Sequence, residues 1–374
     1  MIYWDNNATT PTAPEVLEAM LPYFKEQFYN PSASYPQAKA IRRAIEDARE
    51  RVAALVGAQP GEILFTSGGT EATNTALRQF NKTLMLSTEH PATLRTAQGE
   101  LCPILPDGTA DIAAWQAKLP MHDGASFAWA NHETGVLQPA EAMCQAAMEA
   151  GVRVHVDAVQ AAGKVHLSLH DFPCIHFASI SAHKIHGPKG IGALYVRTGA
   201  AMTPYLTGGN QEDARRSGTE NVAGIVGFGK AAELALAAAD TYASLARLRE
   251  RFLHALDEAG IRYIQNGAPA PRLPHVLNIR IPGCTAEALS LLLEPAGLLC
   301  SAGSACTSAE PHPSHVLLAM GLTPAEARES LRLSWNRYTT EQEVDEAAAI
   351  FISSIRKLRA VQSTHTGNVM VYTP

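Results

Sequence analysis

The stretch that decides the fold is Ser181-Ala-His-Lys-Ile-His-Gly-Pro-Lys-Gly190. Apolar runs with β-strand character flank it at residues 174–180 and 191–196. Lys184 is therefore predicted to lie between a buried strand and a glycine-rich loop. A lysine in that setting can form a Schiff base with an aldehyde cofactor, although a lone lysine in a polar turn is usually an ordinary surface residue.

An apolar strand that ends in an acid precedes this stretch. It reads Val154-His-Val-Asp-Ala-Val-Gln160, and Asp157 has the chemistry to pair with a pyridine nitrogen. Lys184 and Asp157 together indicate pyridoxal phosphate (PLP) as the cofactor, which neither residue would indicate alone.

Length and composition narrow the class of protein. The chain has 374 residues, which exceeds the size at which one hydrophobic core stops growing, so we expect two domains. Its formal net charge is −6, and the sequence has no long run of residues that carry the same charge. Both facts argue against nucleic-acid binding and against a polybasic membrane patch. The N-terminus lacks the pattern of a signal peptide, and the six cysteines include no Cys-x-x-Cys pair. We therefore expect reduced thiols in a cytoplasmic protein without a membrane span.

Apolar runs alternate with helical patterns along the first two thirds of the chain. The predicted strands are residues 63–65, 83–87, 126–130, 152–156, 176–180, 193–196, 276–281 and 331–335. The predicted helices include residues 36–56, 140–150 and a long pattern from 222 to 259 with a break near Asp240. This order predicts an α/β fold: a mainly parallel, seven-stranded-type sheet in a large domain (15–240) plus a smaller α+β domain (1–14 and 241–374). We expect residues 361–374 to form a loose tail.

Other polar motifs follow strands, at the sheet edge where ligands bind in such folds. Thr66-Ser-Gly-Gly-Thr-Glu71 opens a helix and suits either an anion or an ordinary helix cap. His90 and Asn131-His-Glu-Thr-Gly135 end two other strands, where turn chemistry alone would also explain them. Arg216-Ser-Gly-Thr219 supplies loop donors, with Thr219 as a candidate phosphate ligand.

Two cysteines lie in a run of small residues, Cys300-Ser-Ala-Gly-Ser-Ala-Cys-Thr-Ser308. Cys306 lies in a Gly/Ser/Ala loop that suits a nucleophile, whereas Cys300 continues an apolar run and suits a buried thiol. A metal site built from Cys306, His312 and His315 fits no common zinc spacing, so we predict no resident metal.

In this order the motifs resemble those of PLP-dependent cysteine desulfurases of the NifS/IscS type, in the class V aminotransferase group. The resemblance runs from Tyr3 to about Leu358. The motifs that carry it are Thr66-Ser-Gly-Gly-Thr-Glu71, Thr88-Glu-His90, His155-Val-Asp-Ala-Val-Gln160, the Lys184 stretch, Arg216-Ser-Gly-Thr219 and Gly303-Ser-Ala-Cys-Thr-Ser308.

The resemblance implies the PLP-dependent transferase fold of type I and a reaction that converts L-cysteine to L-alanine. Sulfur passes to Cys306 as a persulfide, for iron–sulfur cluster or other sulfur-cofactor assembly. Lys184 holds the cofactor and moves the substrate α-proton, and His90 stacks on the cofactor ring. The other cofactor-binding residues that it implies are Gly69, Thr70, Asn131, His132, Asp157, Gln160, Ser181, His183 and Thr219. Asn30 and Arg332 bind the substrate carboxylate.

The resemblance also implies a homodimer, with Thr219 reaching the cofactor phosphate from the partner subunit. A protein sulfur acceptor, such as an iron–sulfur scaffold, would take the sulfur, and Cys306 would be an iron–sulfur ligand only during transfer. Because the carrier thiol must reach both cofactor and acceptor, we expect a poorly ordered loop at residues 301–312. The chain departs from the family pattern at His132, where the family usually has asparagine.

Three alternatives stay open from the sequence. One is a different PLP reaction on the same fold, such as that of a selenocysteine lyase or an aminotransferase. Another is a non-catalytic sulfur-transfer scaffold, which would be expected to lose Lys184 or Cys306. The third is a metal-binding protein that uses Cys306 and the two histidines after it.

Overall fold

The computed structural model describes residues 1–301 and 313–366. The strands are β1 (Ile2–Tyr3), β2 (Ile63–Thr66), β3 (Thr83–Leu86), β4 (Gly99–Cys102), β5 (Gly124–Ala128), β6 (Arg153–Asp157), β7 (Ile175–Ser181), β8 (Gly192–Val196), β9 (Ile264–Gln265), β10 (Val276–Arg280), β11 (Leu298–Leu299) and β12 (Ser330–Ser334). The helices are α1 (Pro14–Met20), α2 (Pro22–Lys25), α3 (Pro36–Leu55), α4 (Gly69–Leu77), α5 (Pro91–Leu94), α6 (Ile112–Lys118), α7 (Ala140–Ala150), α8 (Val222–Ala237), α9 (Ala239–Ser244), α10 (Ala246–Glu258), α11 (Ala286–Leu293), α12 (His315–Ala319), α13 (Pro324–Arg328) and α14 (Glu341–Thr366).

The larger of two compact units contains Thr9–His132 and Val136–Asp240. Its sheet has, among the described residues, seven strands in the order β2-β8-β7-β6-β5-β3-β4. Strands β7, β6, β5, β3 and β4 pair in parallel, and β8 runs antiparallel to both of its neighbours. This confirms the predicted α/β fold with a mainly parallel sheet. Parallel strands that alternate with helices bring their carboxyl ends, and the loops that follow them, to one edge of the sheet.

The helices of the larger unit cover the sheet because their apolar residues recur at helical spacing. On α3 the buried side chains include Ala38, Ile41, Ile45, Ala48 and Val52. Helix α8 packs against α3 at Gly229, where an added Cβ would lie 2.6 Å from the Ala48 Cα. A glycine is therefore needed at this contact.

The smaller unit contains Met1–Ala8, Glu133–Gly135 and the chain from Thr241 onward. Strands β12, β10 and β9 form an antiparallel sheet, and β1 pairs in parallel with β11. Aromatic side chains fill its core: the Trp4 ring lies 5.3 Å from those of both Phe252 and Trp335, measured between centroids. Residues 9–14 group with the larger unit.

The predicted strands each lie within two residues of an observed strand at both ends. The sequence missed β4, whose residues alternate between exposed and buried at the edge of the sheet, and three strands of two residues each. The prediction of a loose tail from residue 361 is wrong as far as Thr366, because α14 continues to that residue. Residues 302–312 and 367–374 lie outside the described residues, so the expectations for the Cys306 loop and the final tail stay predictions.

Among the described helices, none is by itself long and apolar enough to cross a membrane. Taken together, Val222–Ala237 and Ala239–Glu258 reach the required length and composition, with a bend of 64° between them.

Candidate functional site

Lys184 lies directly after β7, at the carboxyl edge of the large sheet, in the short 3₁₀ turn Ala182–Lys184. The N-terminal segment of the larger unit braces this turn. The Thr10 hydroxyl donates to the His183 carbonyl at 2.9 Å and accepts from the His186 N–H at 2.8 Å. His186 has a φ of +66°, a left-handed conformation that these contacts stabilise. Thr10 therefore fixes the backbone both before and after Lys184.

Asp157 ends β6, one strand away from β7 in the sheet. Its Oδ1 accepts a hydrogen bond from the Val159 N–H at 2.9 Å. Burial raises the pKa of Asp157, while the nearby His90 side chain, the Val159 N–H and the Lys184 ammonium oppose that rise. The electrostatic influence of His90 and Lys184 places these three predicted site residues in one neighbourhood.

Helix α4 begins at this edge without a side-chain cap, since Gly68 is its N-cap. A Cβ added to Gly69 would lie 2.9 Å from the Val159 Cγ2 and 3.6 Å from the Ser181 Cβ. The start of α4, the turn after Asp157 and the end of β7 therefore meet at one point. Uncapped N–H groups at a helix N-terminus bind anions well. Asp157 and Lys184 lie beside these N–H groups, and together the three fit PLP. The helix start suits the phosphate, the acid suits the ring nitrogen, and the lysine suits the aldehyde.

His90 is the N-cap of α5, and its Nδ1 accepts the Ala92 N–H at 3.1 Å. An acceptor nitrogen carries no proton, so this bond selects the tautomer with the proton on Nε2. The His90 ring also makes an edge-to-face contact with His132, with ring centroids 5.4 Å apart. The residue that departs from the family pattern therefore contacts the residue expected to stack on the cofactor.

Asn131 and Glu89 tie the loops after β5 and β3 together. The Asn131 amide donates to the Thr88 carbonyl at 3.1 Å, and the Glu89 carboxyl accepts the Ala128 N–H at 2.9 Å. Burial raises the pKa of Glu89 well above its usual range; the Ala128 hydrogen bond opposes this, and the charge of Asp157 adds to it.

Gln160 lies on the turn that follows Asp157 and is buried. Its Oε1 accepts from the ammonium of Lys164, which is also buried, at 3.0 Å. Burial, followed by the charges of Lys184, Lys164 and Lys189, lowers the pKa of His183 to about 4. His183 is therefore a neutral imidazole at neutral pH, with its Nδ1 3.1 Å from the Thr9 hydroxyl.

The loop that carries Thr219 is attached to the first turn of α4. Arg216 donates to both carboxylate oxygens of Glu71, at 2.9 and 3.1 Å, and Glu71 also accepts the Ser67 N–H. Thr219 is exposed and lines a cleft of about 260 Å³ together with Asn30 and Phe28. Asn30 is also exposed, and its side chain accepts the Ser32 N–H at 2.8 Å.

Arg332 lies on β12 in the smaller unit and is 4% exposed. Its Nη2 donates to the Asp5 carboxylate at 2.6 Å, and its backbone pairs with that of Ser301 through two hydrogen bonds. Burial, with the Asp5 charge as a second cause, raises the pKa of Cys300 to about 12, although the charge of Arg332 opposes it. Cys300 is therefore a protonated thiol, whereas Cys306 lies outside the described residues.

The sequence reasoning missed Asp5, Lys164 and Glu71 as partners of predicted site residues. The Lys164 contact was open to prediction, because Gln160 and Lys164 are four residues apart and such pairs face each other on a helical turn. Asp5 and Glu71 reach partners 327 and 145 residues away, and no local pattern indicates such contacts. Among the described residues, no group of three or more His, Cys, Asp or Glu side chains could hold a metal ion.

Comparison with known proteins gives one consistent result. The family model described as aminotransferase class-V matches residues 2–347. A cysteine desulfurase of Trichormus azollae is 43% identical, with 96% of this chain and 94% of the relative covered. The cysteine desulfurase NifS of Azotobacter vinelandii is 41% identical, with 100% and 97% covered. A solved structure described as a NifS-like protein superimposes with a TM-score of 0.86 at 32% identity, with 95% of this chain and 99% of the other covered.

Proposed function

The chain belongs to the class-V aminotransferase family, and from this premise we propose that it is a PLP-dependent cysteine desulfurase. It would convert L-cysteine to L-alanine and transfer the sulfur to Cys306, for iron–sulfur cluster or other sulfur-cofactor assembly. The observation that carries the proposal is the set of Lys184, Asp157 and His90 at the carboxyl edge of the large sheet, beside the uncapped start of α4. Relatives named cysteine desulfurase at 41–43% identity support it.

PLP, when bound, supplies an electron sink conjugated to the substrate α-carbon. Lys184 would hold the aldehyde carbon of the cofactor and later move the substrate α-proton. Asp157 would keep a proton on the ring nitrogen, because a carboxylate stabilises the positive charge there. His90, with its proton on Nε2, would lie against the ring and donate a hydrogen bond from that atom.

The other predicted site residues fall into three groups, which would contact the phosphate, the ring oxygen and the substrate carboxylate. Gly69, Thr70, Ser181 and His183 would hold the phosphate, with the neutral His183 as a hydrogen-bond donor. Gln160 and the loop residues Asn131 and His132 would contact the ring oxygen side. Asn30 and Arg332 would bind the substrate carboxylate, where the planar guanidinium suits a two-point contact.

Sulfur transfer requires a thiolate near the substrate sulfur. The Cys306 thiolate would attack that sulfur, forming an S–S bond while the C–S bond of the substrate breaks. The electron pair of the broken bond stays on the substrate carbon, which then takes a proton, and alanine leaves. Cys306 becomes a persulfide, and a thiolate of a protein acceptor, such as an iron–sulfur scaffold, would then take its outer sulfur and restore the Cys306 thiolate.

We also propose that the enzyme is a homodimer. Helices α1 and α2 leave a stripe of apolar side chains in water: Leu17, Leu21 and Phe24, continued by Phe28, are each at least half exposed. Phe24 and Phe28 line the same cleft as Thr219. An apolar patch of this kind is typical of a protein interface, and a second copy covering it would meet Thr219. Sedimentation of wild type and of a Phe24→Ser/Phe28→Ser variant tests this, because a dimer should dissociate in the variant only.

The central test measures alanine and sulfide released from L-cysteine in the presence of a reductant, with PLP-loaded protein. Wild type should release both products, and Cys306→Ala should release neither while keeping the yellow colour of bound PLP. Cys300→Ala is the matched control and should stay active, because that thiol is protonated and half-buried. If Cys306→Ala matches wild type, the sulfur-acceptor assignment is wrong. If wild type neither binds PLP nor releases product, the scaffold alternative replaces the enzyme.

A further inference from the structure

Lys164 is a buried ammonium next to the proposed cofactor site. Its side chain is on the turn after Asp157 and is 5% exposed. Burial of an ammonium is costly, so a neutral residue would be the cheaper neighbour if packing were the only requirement. A contact that depends on the charge is therefore the better explanation for a lysine here.

The hydrogen bond from Lys164 determines how the Gln160 amide is oriented. An ammonium has donors and no acceptor, so the amide atom 3.0 Å from the Lys164 Nζ must be the oxygen, Oε1. The other end of the amide, Nε2, is a donor of two hydrogen bonds. If Lys164 were absent, the amide could turn over and present its oxygen instead. The amide would then offer the cofactor ring oxygen an acceptor in place of a donor.

The backbone of the turn supports this arrangement. The Lys164 N–H donates to the Ala161 carbonyl at 3.0 Å, and Gly163 has a φ of +71° where an added Cβ would lie 2.8 Å from the Ala235 Cβ. Lys164 and Gln160 therefore lie on a hydrogen-bonded segment that directly follows Asp157. The charge of Lys164 also reaches the phosphate side, since it is among the causes that lower the pKa of His183.

We propose that Lys164 is a positioning residue that fixes the Gln160 amide with its oxygen on Lys164, so that the Nε2 end is the one that would donate to the cofactor ring oxygen. This inference rests on the proposed function, because it needs PLP in the site. Lys164 acts through Gln160 and does not itself take part in the reaction.

The test is a double-mutant cycle on the affinity for PLP, with apo-protein titrated by fluorescence and the visible absorption band recorded at saturation. Lys164→Met should raise the PLP dissociation constant about tenfold, the value of one hydrogen bond to a charged group. In a Gln160→Ala background the same change should have an effect of about twofold or less, because the amide on which Lys164 acts is gone. Lys164→Arg, which keeps a donor, should stay within about threefold of wild type.

Two further variants distinguish a loss of PLP affinity from a loss of protein stability. Gln160→Glu retains an acceptor for Lys164 but removes the N–H donors, so its apo thermal midpoint should not fall while its PLP dissociation constant rises about tenfold. Lys189→Met removes an exposed lysine near the same histidine and should leave PLP affinity within about twofold of wild type.

Wild-type affinity in Gln160→Glu, or additive effects in the cycle, would overturn the inference and leave the proposed function intact. If wild type itself develops no visible band with PLP, the proposed function fails, and this inference fails with it.

Discussion

Asp5 and Arg332, which are 327 positions apart in the chain, form an ion pair in which the Arg332 Nη2 donates to the Asp5 Oδ1 at 2.6 Å. The guanidinium proposed to bind the substrate carboxylate is thus already oriented by a carboxylate of the N-terminal segment. The same arginine pairs through its backbone with Ser301, the last described residue before the segment that contains Cys306. Arg332 is therefore linked to both proposed steps. Its guanidinium would bind the substrate, and its backbone holds Ser301, after which the Cys306 segment begins.

Asp5→Ala should destabilise the protein. The change leaves a guanidinium that is 4% exposed without that partner carboxylate, and breaking a buried pair from one side costs about 3 kcal/mol. Urea unfolding of the apo-protein checks this. Asp47→Ala is the control, since Asp47 is exposed on α3 and its contribution should stay below about 0.5 kcal/mol. Equal unfolding midpoints for the two variants would contradict the structural role of the pair.

Arg332→Lys should raise the KM for L-cysteine about 100-fold and change kcat by less than about threefold, because a lysine cannot make the planar two-point contact with a carboxylate. Steady-state kinetics with PLP-saturated enzyme separates the two constants. Arg328→Lys on α13 is the matched control, since Arg328 is exposed on the same unit and should behave as wild type. A fall in kcat alone would place Arg332 in a step after substrate binding.

Ser314→Ala should cost more than the loss of an ordinary helix cap. The Ser314 hydroxyl donates to the buried Glu133 carboxylate at 2.5 Å and also caps α12 by accepting the Leu317 N–H. Losing both should destabilise the protein by about 2–3 kcal/mol, against about 1 kcal/mol for Thr285→Ala, an exposed cap on α11. Chemical denaturation gives both values, and Ser314→Thr should recover most of the loss. Equal costs for the two alanine variants would show that the Glu133 contact contributes nothing.

The Glu62 carboxylate should make stability depend on pH in acid. Burial alone would raise the pKa of Glu62, yet hydrogen bonds from Gln59, Thr198 and His170 lower it to about 2. A folded-state pKa below the unfolded one stabilises the protein above pH 4.5, and the contribution is lost as the pH falls from about 4.5 to about 2. The whole contribution is about 3 kcal/mol.

The difference in unfolding free energy between wild type and Glu62→Gln should therefore shrink as the pH is lowered from 6 towards 3. Glu233→Gln, a surface ion-pair variant, should show a difference below about 0.5 kcal/mol throughout. A pH-independent gap for Glu62→Gln would mean that its hydrogen bonds do not lower the pKa of this carboxyl.

His90 should have separable structural and functional roles. Asparagine is a good N-cap and alanine is a poor one, so His90→Asn should keep the stability of wild type while His90→Ala loses about 1 kcal/mol. Both variants should lose most of the alanine-forming activity, because both remove the ring. Thermal unfolding of the apo-proteins and activity with PLP check the two roles. Activity retained in His90→Asn would show that the imidazole is not needed.

Local patterns made much of the large unit predictable. Buried parallel strands such as β6 and β7 read as apolar runs, and α7 begins and ends at the predicted residues. The predicted residues Lys184, Asp157 and His90 each lie at or just after the end of a strand, so strand order alone indicated one edge of the sheet for all three. Strand β4 was not predicted because its four residues at the sheet edge, Gly-Glu-Leu-Cys, form no apolar run.

The sequence by itself determined the fold class, the family and the chemical character of the site, because each depends on short patterns and on residue types. Only the tertiary structure decided which residues act as partners: Asp5 with Arg332, Ser314 with Glu133, and Arg216 with Glu71. It also decided the tautomer of His90 and the orientation of the Gln160 amide. The physical reason is that hydrogen bonds and ion pairs depend on distance in space, and contacts between residues more than 100 positions apart leave no periodic trace in one sequence.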